Sequence, residues 1–269
     1  MVEKLGVIGF GNIAKAIITP LLDNGFLKPE QIHCLVRSEK SFESIKESYK
    51  YKVNLYHMNS SDSFEAWQCP VKLLCVKPQH LNNLNEINFE SPNNILVSIL
   101  AGVSIEKLEK RFPTNKCVRI VTNIPIKIGK GLTGIAWGKG INTEQINFIK
   151  EIFENSSKIY ELNEDYLDVF LALTSSAPAI IALIVEALSD GGLSGGLQKK
   201  LSEELVLEMI LGTILLLKDF NISTTELKNM VTSPGGTTIS ALRVLERRSF
   251  RSALIESIVA ATNKSKEFR

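Results

Sequence analysis

The sequence predicts an α/β fold in two parts, a parallel sheet with interleaved helices over residues 1–163 and an all-helical domain over residues 164–269. Three observations predict it. Short apolar runs alternate with helix-length amphipathic segments up to about Glu161, the pattern of successive βαβ units. Strand signals then stop after Asn163. The helical remainder also carries more apolar surface than so small a domain can hide, which predicts burial against a second copy of the chain.

In chain order the expected strands are Leu5–Ile8, Ile32–Val36, 71–76, 95–100, 118–121, 132–136 and 159–161, the short and mostly apolar runs of this alternation. The expected helices after them are 166–190, 201–220, 224–231, 238–246 and 250–264. In the last of these, Ile255, Ile258, Val259 and Thr262 fall on one stripe, with Arg251, Glu256, Lys264 and Lys266 free to face water. Residues 169–185 carry no charge, which reaches the lower bound for a membrane span. Thr174-Ser175-Ser176-Ala177-Pro178 would sit poorly at a bilayer midplane, so a helix buried at an interface is the expectation, with no membrane partner.

With 44% hydrophobic and 22% charged residues, 269 residues suffice for a substantial core and exclude a disordered chain. A formal charge of +2 gives no electrostatic case for binding nucleic acid, and the run Arg243, Arg247, Arg248, Arg251 reads as a solvated helix face. Cys34, Cys69, Cys75 and Cys117 form no C-x-x-C pair, and with three scattered histidines, His33, His57 and His80, neither a zinc site nor a Ser-His-Asp arrangement is expected. Free thiols in a cytoplasmic protein follow, as does the N-terminus, where Glu3 and Lys4 precede an apolar strand without the order of a signal peptide.

Gly9-Phe10-Gly11-Asn12-Ile13-Ala14 follows the first strand and opens a helix, the context that makes G-x-G-x-x-A a dinucleotide cradle. Gly9 allows the tight turn, Gly11 admits a pyrophosphate to the helix N-terminus, and Ala14 lets helix pack on strand. The N-terminal part is therefore expected to be a Rossmann-type dinucleotide-binding domain. The second strand ends in Arg37-Ser38, a guanidinium fork and a hydroxyl where an NAD-selective site places a carboxylate, so NADP is expected over NAD. Lys77, in Val76-Lys77-Pro78-Gln79, borders the cleft at another strand end, for cofactor contact or proton transfer; Cys75 reads as a small buried hydrophobe. In the helical part, Thr232-Ser233-Pro234-Gly235-Gly236-Thr237-Thr238 precedes a helix and offers a carboxylate-sized anion receptor. Hydride transfer to an activated acceptor such as a protonated cyclic imine needs little beyond these parts.

On these motifs, with Ala101-Gly102-Val103-Ser104, the chain resembles the pyrroline-5-carboxylate reductase family from Gly6 to about Phe268. The resemblance implies reduction of 1-pyrroline-5-carboxylate to proline, a helical domain shared between two subunits, and often a ring of five dimers. It implies that Gly9, Phe10, Gly11, Asn12 and Ile13 hold the pyrophosphate, Arg37, Ser38 and Asn59 the adenosine end, and Val76, Lys77, Pro78, Ala101, Gly102 and Asn123 the nicotinamide ribose. Ser233, Gly235, Gly236 and Thr237 would bind the substrate carboxylate, and Thr238 the ring nitrogen. Two departures from the family pattern stand out: Ile124 replaces a threonine, and Ser175 and Ala177 replace glycines, adding bulk near the substrate. A reductase of another cyclic imine, or a silent NADP-binding paralogue, are the alternatives these departures leave open.

Overall fold

The computed structural model describes residues 4–84 and 94–268; Glu3 lies outside them. The chain divides into two compact units, residues 1–175 with 261–269, and residues 176–260. In the first unit the elements are β1 (Leu5–Ile8), α1 (Asn12–Asp23), β2 (Ile32–Val36), α2 (Glu39–Ser48), β3 (Asn54–His57), α3 (Glu65–Gln68), β4 (Val71–Leu74), β5 (Ile95–Ser98), α4 (Ile105–Arg111), β6 (Lys116–Thr122), β7 (Gly131–Trp137), α5 (Thr143–Glu154), β8 (Ser157–Glu161) and α6 (Leu167–Leu171). The second unit holds α7 (Ala177–Ser194), α8 (Lys199–Asp219), α9 (Thr224–Met230), α10 (Thr237–Arg247) and the start of α11 (Phe250–Lys266), whose end belongs to the first.

The eight strands run in the order β3-β2-β1-β4-β5-β6-β7-β8. β1, β2, β4 and β5 are buried along their whole length, which is why they read as continuous apolar runs rather than alternating ones. Three features depart from the sequence expectation. β3 was not anticipated: Asn54-Leu55-Tyr56-His57 is half polar because it lies at the sheet edge, half-buried beside β2. The sheet is not wholly parallel, since β6 and β7 pair antiparallel, joined by a short 3-10 turn at Ile124–Ile128 with no crossover helix. The helix expected over 166–190 is broken by a π turn at Ala172–Ser176, between α6 and α7.

A buried charge network ties this unit together. Arg119, fully buried on β6, donates from Nη2 to Asp168 Oδ1 at 2.7 Å and from Nη1 to Glu164 Oε1 at 3.3 Å. Asp168 also accepts from Ser265 Oγ at 2.8 Å, which fixes the end of α11 to α6 and β6.

The second unit has an unusual surface. Between 176 and 260 only Ser189 and Ser202 are buried, while Ile181, Leu183, Leu205, Leu207, Met209 and Leu211 are each about half exposed. Ile255 and Val259, the anticipated stripe of α11, are exposed as well. The helical run from Glu164 to Ser194 is long and apolar enough to cross a membrane by length and composition. So much uncovered aliphatic surface is the signature of an interface.

Candidate functional site

The turn after β1 is shaped for a bound anion. Gly9 has φ +91°, and a Cβ there would press on Val76 Cγ1 at 2.9 Å and Cys75 O at 3.0 Å, so only glycine fits. Its N–H donates to Leu35 O at 2.8 Å, locking the turn to the end of β2. Gly11 caps α1 with no side-chain hydrogen bond and no acid in the first turn, and nothing lies within 4 Å of where its Cβ would be. The first N–H groups of α1 therefore point into open space, with the positive end of the helix dipole behind them.

This turn forms one wall of a cavity of about 340 Å³. Gly9, Phe10, Gly11, Arg37, Ser38, Val76 and Lys77 line it, so the phosphate cradle, the β2 end and the β4 end converge as the sequence suggested. Ser41, Met58, His80 and Asn83 join them without having been anticipated. Ser41 had a legible signal, three residues after Ser38 on the same helical face; Ser38 caps α2 by accepting from Ser41 N, and its hydroxyl donates to Ser41 Oγ at 2.7 Å. Among the described residues no Asp or Glu lines the cavity, and Arg37 and Lys77 give it positive charge. An opening of this size, with an uncapped helix N-terminus on one side and cations on another, fits the phosphates of a dinucleotide.

The remaining candidates of this unit do not line the cavity. Asn12 and Ile13 continue α1 beyond the cradle, and Pro78 opens the 3-10 turn after Lys77. Asn59 is exposed two residues past β3, beside the cavity-lining Met58. Ala101 is half-buried, and Gly102 is buried under the Ser265 carbonyl and Phe268, which a Cβ would strike. The Asn123 side chain is engaged within the protein, donating to Thr174 O at 3.0 Å and accepting from Leu132 N at 2.8 Å. Ser175, one of the departures from the family pattern, donates to Thr122 O at 2.9 Å, so its added hydroxyl is absorbed by the end of β6. Ile124 is 64% exposed. Burial holds the Cys75 thiol well above its usual range, so it remains protonated and unreactive.

The second anion receptor lies in the helical unit. Gly236 is the N-cap of α10 and makes no side-chain cap bond; Thr237 and Thr238 are the first helical residues, so the N–H groups of the first turn are left for a ligand. Gly235 takes φ +71°, and Gly236 N donates to Ser233 O at 3.1 Å, closing the turn. The Thr232 hydroxyl in the same loop is buried without a hydrogen-bond partner.

Comparison with known proteins gives a consistent picture. Residues 164–268 match a family model described as pyrroline-5-carboxylate reductase dimerisation, and residues 4–102 one described as NADP oxidoreductase, coenzyme F420-dependent. The chain is 35% identical to the pyrroline-5-carboxylate reductase of Synechocystis sp., over 98% of this chain and 97% of that protein. It is 32% identical to the enzyme of the same name from Arabidopsis thaliana, over 98% and 95%. The crystal structure of Plasmodium falciparum pyrroline carboxylate reductase with NADP bound superposes with a TM-score of 0.85 at 29% identity, covering 99% of this chain and 98% of that one.

Proposed function

The chain belongs to the pyrroline-5-carboxylate reductase family, and on that premise we propose how its residues reduce 1-pyrroline-5-carboxylate to L-proline. The protein is an NAD(P)H-dependent oxidoreductase acting on a C=N bond in proline biosynthesis. The observation that carries the assignment of roles is the pair of uncapped helix N-termini, one at α1 facing a cation-rich cavity and one at α10 behind a Gly-Gly turn.

When bound, NADPH supplies the hydride. Gly9 to Ile13 would receive its pyrophosphate on the free N–H groups of α1, Arg37 and Ser38 with Asn59 its adenosine end, and Val76 to Pro78, Ala101, Gly102 and Asn123 its nicotinamide ribose. Lys77 at the cavity rim balances the phosphate charge. Ser233 and the backbone of Gly235, Gly236 and Thr237 would hold the substrate carboxylate, whose charge the dipole of α10 favours. The Thr238 hydroxyl would hydrogen-bond the ring nitrogen and so orient the neighbouring carbon for attack. The domain from 1 to 163 is thus the cofactor half, and that from 164 to 269 the dimerisation and substrate half.

Purified protein given 1-pyrroline-5-carboxylate should oxidise NADPH, followed as loss of absorbance, and Thr238→Ala should cut kcat by about tenfold to a hundredfold with NADPH binding unchanged. No turnover in a protein that still binds NADPH would move the reading to a different cyclic imine or a silent paralogue.

The helical unit mediates oligomerisation. With no aliphatic side chain of α7 or α8 buried and most of them exposed, we expect at least a homodimer, and further assembly to a decamer in the cytoplasm. Sedimentation at micromolar protein should show a dimer or larger, and a stable monomer would overturn this.

A further inference from the structure

Arg37 is exposed at the cavity rim, and among the described residues no carboxylate lies within ion-pairing distance of it. Its guanidinium instead meets a histidine: Arg37 Nη1 stands 3.2 Å from His80 Nδ1. A guanidinium has donors only, so Nδ1 accepts and the ring proton resides on Nε2. Two consequences follow. The guanidinium is held in place by a neutral acceptor, whose contact leaves its positive charge uncompensated where an Asp or Glu would offset it, and the Nε2–H stands ready as a further donor on the same rim.

The placement of His80 comes from local geometry. Pro78–Asn83 is a 3-10 turn with Lys77 as its N-cap, and the His80 N–H donates to Lys77 O at 2.9 Å. With three residues per turn, residues i and i+3 lie on the same side, so Lys77 and His80 face the cavity together. Arg37, Lys77, His80, Ser38 and Ser41 then make a rim of cations and hydrogen-bond donors with no carboxylate among the described residues.

We propose that His80 is a specificity-determining residue, positioning the Arg37 guanidinium so that the rim selects a ribose carrying a 2′-phosphate. The proposal rests on the reading that this cavity takes the adenosine end of the cofactor. His80 acts through Arg37, and its loss should cost discrimination rather than catalysis.

Adenosine 2′,5′-bisphosphate and 5′-AMP titrated by calorimetry into the full-length protein separate these ideas, because both fill the adenosine site and only the first carries the 2′-phosphate. Arg37→Ala should weaken the bisphosphate by about thirtyfold, and His80→Ala by about fivefold, with 5′-AMP changed less than about twofold in both. His80→Gln, whose amide oxygen can accept from Arg37, should recover most of the affinity. The KM for NADPH should rise in parallel, and by more than the KM for NADH. If Arg37→Ala weakens the bisphosphate and His80→Ala does not, the role of His80 is overturned and Arg37 reads the phosphate unaided. If neither does, the placement of the adenosine end fails and this proposal with it. Equal weakening of 5′-AMP by His80→Ala would also overturn it, showing a general packing role.

Discussion

Gly236→Val should abolish turnover, by on the order of a hundredfold or more, while NADPH affinity stays at the wild-type value. Gly236 has φ −76° and ψ 174°, an extended conformation that valine adopts freely, so backbone strain is not the cause. The cause is space. A Cβ at this position would lie 2.5 Å from Ser233 Oγ and 3.2 Å from Ser233 O, and the branched methyls beyond it would cover the N–H groups of the first turn of α10. A carboxylate bound there would lose both its access and its donors. The Ser233 hydroxyl can rotate aside for one methyl, so Gly236→Ala should keep a measurable fraction of activity, with a raised KM for the imine. NADPH binding reports on the other unit and serves as the control. Normal turnover in Gly236→Val would show that the carboxylate is held elsewhere; loss of NADPH binding as well would show misfolding.

How much of this could be read from the sequence depended on how local the physics was. Gly9 and Gly11 were legible because a tight turn and an open helix N-terminus are dictated within six residues. The uncovered aliphatic surface of α7 and α8 was legible too, because an aliphatic surplus is a count that needs no fold. β3 was not: Asn54 and His57 are polar at a sheet edge, where alternation is weak and β2 alone supplies the pairing. The antiparallel pairing of β6 with β7 escaped notice because Val118 to Val121 and Leu132 to Ala136 look the same in either direction, and the short turn at Ile124–Ile128 was the only cue. The π turn at Ala172–Ser176 rests on tertiary contacts of Thr174 and Ser175 with the end of β6, invisible to periodicity. His80 joined Arg37 for the same reason, since two residues 43 apart in sequence meet only when β2 and β4 lie on either side of β1.

Asp168→Ala should destabilise the first unit by about 3–5 kcal/mol, the largest stability effect expected of any single change here. Asp168 is fully buried and accepts from both Arg119 and Ser265. Its removal leaves the fully buried Arg119 charge with Glu164, 3.3 Å away and itself partly in water, as its ion-pair partner. Leaving a buried charge with only this longer, partly solvated partner is what costs; the pair itself adds little over an apolar pair of the same volume. The double variant Arg119→Met with Asp168→Leu should therefore fall much nearer the wild-type midpoint in denaturant than Asp168→Ala does, at one protein concentration because assembly shifts midpoints. A single variant within about 1 kcal/mol of wild type would show that water reaches the site and that the network is not a structural one. The damage should also reach the cofactor half: Ser265, freed from Asp168, no longer holds its own carbonyl and Phe268 over Gly102, so the Ala101–Gly102 loop loses its cover and NADPH affinity should fall along with stability.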